Sequence, residues 1–161
     1  MYLFHFIFAI LVTINFVQTR IVHKRETHHE VSEFKGLNKK ELKGLELKVF
    51  EECRVESNVD KTTFDGYRKL ENDVPNEEGF KKVSTCYSER MGFLANSKVN
   101  WEKLKEAAEI NHSDNKDYLD KSLNVIKDCE GKSYEELSHT EVGFKLAKCM
   151  KEGYFQAGIK W

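Results

Sequence analysis

Phe80-Lys81-Lys82-Val83-Ser84-Thr85-Cys86-Tyr87-Ser88-Glu89-Arg90-Met91-Gly92-Phe93-Leu94 is the stretch whose reading decides how this chain folds. Phe80, Val83, Tyr87, Met91 and Leu94 recur at steps of three and four, which places them on one face of an α-helix. Cys86 stands beside Tyr87 at the edge of that face. Ahead of it, the Asn-Asp-Val-Pro-Asn segment around Pro75 is a break. Asn76 then reads as a helix cap, with Glu77 and Glu78 in the first turn where the helix dipole favours acids.

Working outward, the same period recurs. Leu42, Leu45, Val49 and Cys53 form one buried stripe of an earlier helix. Thr62 with Asp65 resembles the start of a second, carrying Phe64, Tyr67 and Leu70. Beyond the quoted stretch, Trp101, Leu104 and Ala108 make a fourth helix that stops at the cap-forming loop Asn111-His112-Ser113-Asp114. Tyr118, Leu119, Leu123, Ile126 and Cys129 make a fifth. Ser133 with Glu136 matches a capping box, opening a last helix with Val142, Leu146, Cys149 and Gly153 on one stripe. No segment alternates at period two for long enough to read as a strand, and there is neither an internal repeat nor a low-complexity tract. The expectation is an all-α chain, a compact bundle of about six helices with every cysteine on a buried side.

Residues 1–17 form an apolar run of signal-peptide length within a leader read as residues 1–19; the run is interrupted by His5, Thr13 and Asn15 and lacks a basic residue before its core. It is short for a membrane span, which needs about 20 apolar residues, and cleavage after Thr19 is the expected processing. Residues 20–36 are polar and His-rich and read as a flexible N-terminal arm, with the helical domain spanning 37–161. That domain is long enough to bury a core. Lys and Arg number 26 against 27 Asp and Glu, a formal net charge of −1. Without a basic stripe, nucleic acid is not an expected partner. No second apolar run follows the leader, so no membrane partner is expected once it is removed.

Cys53, Cys86, Cys129 and Cys149 are widely separated, and none stands at metal-ligand spacing from another cysteine or from a histidine. An even set of this kind behind an export leader reads as two disulfides. Four cysteines allow three connectivities, and the residues alone do not choose among them. Free buried thiols in a cytosolic protein are the alternative.

The quoted stretch, with Cys86 followed by a helix-ending Gly92, resembles the third-helix signature of the insect odorant-binding proteins. That family carries six cysteines. Cys53, Cys86, Cys129 and Cys149 fit its first, third, fourth and sixth, while Lys82 and Thr140 stand where its second and fifth belong. The family pairs those two with each other, so their joint loss resembles the four-cysteine Minus-C subgroup. The resemblance covers roughly residues 38–158. It implies the pairs Cys53–Cys86 and Cys129–Cys149, each contributing about 3–4 kcal/mol in the chain-entropy model. It also implies an apolar ligand cavity closed by the tail after Cys149.

On that resemblance the expected cavity lining is Val83, Tyr87, Met91 and Leu94 of the third helix, then Trp101, Leu104, Leu123, Ile126, Phe144, Phe155 and Trp161. Any one of these residues serves equally well as plain core. The tail residues Tyr154, Phe155, Ile159 and Trp161 would be costly to leave in water, at roughly 1.5–3 kcal/mol per large apolar side chain, and so are expected to pack back. Hydroxyls of Tyr67, Tyr87 and Tyr154 are candidates to hold a ligand oxygen in an apolar chamber. His112 and His139 could switch charge with pH, although solvated histidines are commonplace. Asn111-His112-Ser113 satisfies the glycosylation sequon. His23, His28 and His29 could engage copper or nickel only with unusual processing, and no metal, cofactor or catalytic residue is expected.

The function so implied is a secreted, extracellular carrier of small hydrophobic molecules such as odorants or pheromones. A chemosensory receptor is a candidate second partner, and a monomer or weak homodimer the expected state. Alternatives are a salivary, venom or haemolymph scavenger of amines or lipids, and a helical signalling or toxin protein without a cavity.

Overall fold

The computed structural model describes residues 34–159, and six helices occur among them: α1 (Lys39–Glu56), α2 (Lys61–Arg68), α3 (Glu78–Arg90), α4 (Trp101–Asn111), α5 (Lys116–Glu130) and α6 (His139–Gln156). The all-α bundle read from the sequence is the architecture observed. The leader and most of the arm lie outside the described residues.

Local chemistry sets where each helix begins. Asn38 caps α1 by accepting from the backbone of Lys40 and Glu41, while the Glu41 carboxylate accepts from Asn38 N–H in return. Asp60 caps α2, Asn100 caps α4 and Asn115 caps α5, each satisfying a backbone N–H in the first turn. Three starts differ from the sequence reading. α2 is capped by Asp60 and begins at Lys61, rather than starting from Thr62. α3 is preceded by Glu77, without a side-chain cap, rather than by Asn76. α6 is capped by Ser138, not Ser133, and Glu136 sits in a left-handed turn at φ 60° before the helix starts. For α2 and α6 another cap-forming residue, Asp60 or Ser138, stood nearby in sequence and makes the cap.

The third helix is also shorter than its apolar period. Met91 closes it and Gly92 adopts φ 70°, a conformation glycine takes without a Cβ clash. Phe93 N–H then returns to the Ser88 carbonyl at 2.8 Å. Leu94 therefore belongs to a two-residue antiparallel ribbon, β1 (Leu94–Ala95) with β2 (Lys98–Val99). Its turn residues Asn96 and Ser97 both have positive φ, as the tightest hairpin turns require.

Two disulfides staple the bundle. Cys53–Cys86 joins α1 to α3 and Cys129–Cys149 joins α5 to α6. Beside the first, Arg90 of α3 reaches Glu52 and Glu56 of α1. The opposite flank of α3 packs on α6 without a covalent tie. There Lys81 pairs with Glu141 at 2.9 Å, Thr85 Oγ1 donates to the Thr140 carbonyl at 3.3 Å, and His139 Nε2 lies 2.7 Å from Glu89 Oε1. His139 Nδ1 accepts from Ser97 N–H, so this ring is held between the hairpin and α3 rather than solvated. Lys82 turns outward to Glu78.

Gly143 sets how close this seam can be. A Cβ there would lie 2.5 Å from Thr85 Oγ1 and 2.9 Å from Thr85 Cα. The core spreads from this seam, with Val83, Ile126 and Leu146 among its buried residues. Phe34, read from sequence as part of the arm, is 0% exposed and packs edge-on against Phe93 with Lys103 Nζ over its ring.

Two outcomes follow for stability. Gly143→Ala should cost about 1–3 kcal/mol by forcing the helices apart, whereas Gly44→Ala, with open space around its Cβ, should stabilise by about 0.5–1 kcal/mol. Thermal melts of the two variants against wild type check the contrast. Phe34→Ala should lose about 3–5 kcal/mol in urea unfolding, as a core phenylalanine does and an arm residue does not.

Candidate ligand cavity

Helices α1, α2, α3, α4 and α6 leave a cavity of about 550 Å³ between them. Its wall mixes small side chains, Ala107 and Ala108 of α4 and Ala147 of α6, with large ones, Phe50 of α1, Phe64 of α2 and Val83 of α3. Phe50 lies flat on Tyr87 with ring centroids 3.7 Å apart, and Phe64 packs tilted against Phe50. This makes an aromatic wall suited to a hydrocarbon or an aromatic ligand.

The tail contributes to the enclosure. α6 runs on to Gln156, and Gly158 at φ 68° reverses the chain so that Ile159 N–H bonds the Tyr154 carbonyl at 3.0 Å. Tyr154 and Ile159 thereby border the cavity. Phe155, one residue round the helix from Tyr154, points to solvent and is 54% exposed. It does not pack back as the sequence suggested.

Of the residues expected to line the cavity, Val83, Tyr87 and Leu104 border it. The others named that lie among the described residues do not. Met91 and Ile126 are fully buried in the core, and Leu94 is buried at the hairpin. Trp101 packs against Tyr134, Leu123 against the core, and Phe144 against Phe80. Trp161 lies outside the described residues. Periodicity identified buried positions, and burial against another helix looks the same in sequence as burial against a void.

Polar groups on the wall are few. Burial, together with the bond that Tyr67 Oη donates to Glu77 at 2.8 Å, pushes its pKa up to about 12, so this hydroxyl is already engaged. Lys151 is 7% exposed and its ammonium donates to the Tyr67 carbonyl at 3.0 Å, near the end of α2. Burial lowers its pKa. Tyr87 and Tyr154 are only half-buried by surface, yet burial among protein atoms pushes Tyr154 to about 12 and Tyr87 well above its ordinary value. The two observations agree if their remaining surface opens onto the cavity rather than onto bulk water.

Glu46 of α1 was not singled out from sequence. It lies four residues after Leu42 and four before Phe50, a spacing that puts a carboxyl on the inward face. Its Oε1 accepts from Asn111 Nδ2 at 3.0 Å, and burial raises its pKa against that bond and against Lys43. Asn111 is thus the last residue of α4 rather than a loop residue, and the amide nitrogen that glycosylation would take is bonded to Glu46. His112 follows it as the helix cap, edge-on to Tyr118, with its pKa lowered by burial and by Lys39.

Residues 37–153 match the model of the PBP/GOBP family. Comparison with curated proteins gives no significant match, and comparison with solved structures gives none either. The family match spans all six helices as far as the last turns of α6 and includes both disulfides. The chain belongs to the PBP/GOBP family, the insect odorant-binding proteins, in a form with four cysteines in two disulfides.

Proposed function

We propose that the protein is a secreted carrier that encloses one small, mostly apolar molecule in the cavity between α1, α3, α4 and α6. Proteins of the PBP/GOBP family carry small hydrophobic ligands, odorants and pheromones among them. The observation that carries the reading for this chain is the cavity of about 550 Å³ with an aromatic wall. That volume lies in the range of small-molecule sites, which run to roughly 300–1,000 Å³. A signalling or toxin protein acting through its surface has no use for such a void, which costs packing energy when empty.

Binding needs no bond to be made or broken. Transfer of the ligand's apolar surface from water to Phe50, Phe64, Val83 and Leu104 supplies the driving force, at about 25 cal/mol per Å² removed from water. The few wall polar groups then set which ligands are preferred. Two disulfides suit an oxidising, extracellular setting. Among the described residues no helix is long and apolar enough to cross a membrane. The leader, residues 1–19, supports export of the chain, and the whole domain is then available to carry its ligand through an aqueous fluid.

A neutral, apolar fluorescent dye should be taken up saturably with one site per chain, and a protein without a usable cavity would show no uptake. Ala147 borders the cavity and is not fully buried, so a larger side chain there grows into the void. Ala147→Phe should weaken dye binding by about tenfold or more while leaving the helical signal and both disulfides intact. Equal affinity in this variant would place the dye elsewhere on the protein.

A further inference from the structure

Accepting the carrier reading above, one group on the cavity wall narrows the ligand chemistry. Glu46 is anchored on one side only. Asn111 holds Oε1, and among the described residues no lysine, arginine or histidine forms an ion pair with this carboxyl. Lys43, one turn earlier on α1, acts on it only at a distance. Apart from Lys43, the cations on the cavity wall have contacts of their own. Lys39 is paired with Asp114, Arg68 lies over the Phe64 ring, and Lys151 caps the carbonyl of Tyr67.

Two hydroxyls accompany the carboxyl. Tyr87 and Tyr154 border the same cavity as Glu46, and its charge acts on both hydroxyls. The Tyr87 ring is held by Phe50 and Phe93, but its hydroxyl bonds no protein group among the described residues. The wall therefore presents a carboxylate oxygen and phenolic oxygens from α1, α3 and α6, all able to accept a proton donor. We propose that the cavity selects small apolar ligands bearing a protonated amine, with the ammonium seated on Glu46 beside the hydroxyls of Tyr87 and Tyr154.

The chemistry favours this class over its neighbours. A carboxylate away from bulk water, with Lys43 acting on it only from a distance, is costly. A ligand ammonium supplies the missing charge together with three donors, and charge-assisted bonds of this kind are about twice as strong as neutral ones. An alcohol offers one donor and leaves the charge of Glu46 uncompensated. A fatty acid would bring like charge against it. The aromatic wall adds attraction for a cation at close range, and the apolar remainder of the cavity takes the tail.

Octylamine, octanol and octanoate, of one chain length and differing in head group, test this by displacement of the neutral apolar dye near neutral pH. Octylamine should bind on the order of tenfold tighter than octanol, with octanoate the weakest. Glu46→Gln keeps an oxygen for Asn111 and should bring the ratio of octylamine to octanol affinity down to about one. Octylamine binding no tighter than octanol in the wild-type protein overturns the proposal, whatever the variant does. So does a preference that survives in Glu46→Gln. Absence of dye uptake by the wild-type protein, in contrast, defeats the carrier reading itself, so the two failures are distinguishable. If Glu46→Gln does not fold, Glu46→Asp keeps the charge but withdraws it from the cavity, and should reduce the ratio of octylamine to octanol affinity.

Discussion

The position of α3 is the constraint on which the rest of this structure depends. On one flank a disulfide, Cys53–Cys86, and the Arg90 contacts to Glu52 and Glu56 bind it to α1. On the other flank it meets α6 with nearly touching backbones, because Gly143 lacks the side chain that would strike Thr85. α3 is thereby wedged between two helices that each form a wall of the cavity. Val83 and Tyr87 face the void only because this wedge sets the rotation of the helix.

The α3–α6 seam is also where this chain departs from the six-cysteine pattern. With Lys82 and Thr140 in place of two cysteines, close packing at Gly143, one ion pair and one hydroxyl–carbonyl bond hold the seam. These interactions differ in kind from a disulfide. A covalent bridge acts mainly by restricting the unfolded chain, whereas close contact acts in the folded state and is lost when the helices separate by a fraction of an ångström. The two helices of the seam also supply Val83, Tyr87, Leu146 and Ala147 to the cavity wall, so their packing sets the spacing of that wall.

The cavity itself combines features that oppose folding and features that serve binding. Void and enclosed polar groups each cost stability. The disulfides offset that cost, contributing about 3–4 kcal/mol apiece in the chain-entropy model. A small bundle carrying both a hollow and a half-satisfied carboxyl is consistent with a protein whose binding free energy is gained when a ligand fills the one and pairs with the other.

Much of the fold was legible in the residues. The three- and four-residue recurrence of apolar side chains determined the number of helices and the faces they bury, because a helix must cover its apolar stripe whatever its neighbours are. The positions of the cysteines, through the family they resemble, determined the pairs. Only the tertiary structure decided the rest. Whether a buried residue meets another helix or a void depends on helix rotation and spacing, which local sequence does not encode, so Met91, Ile126 and Phe144 went to packing while Val83, Tyr87 and Leu104 face the cavity. Cap choice among neighbouring candidates, as with Ser133 and Ser138, was settled the same way. Phe34 joined the core because Phe93 and Lys103, distant in sequence, come together to receive it. Glu46 gained its significance from Asn111, Tyr87 and Tyr154, three residues on three other helices, and a site assembled from that many elements exists only once they have packed.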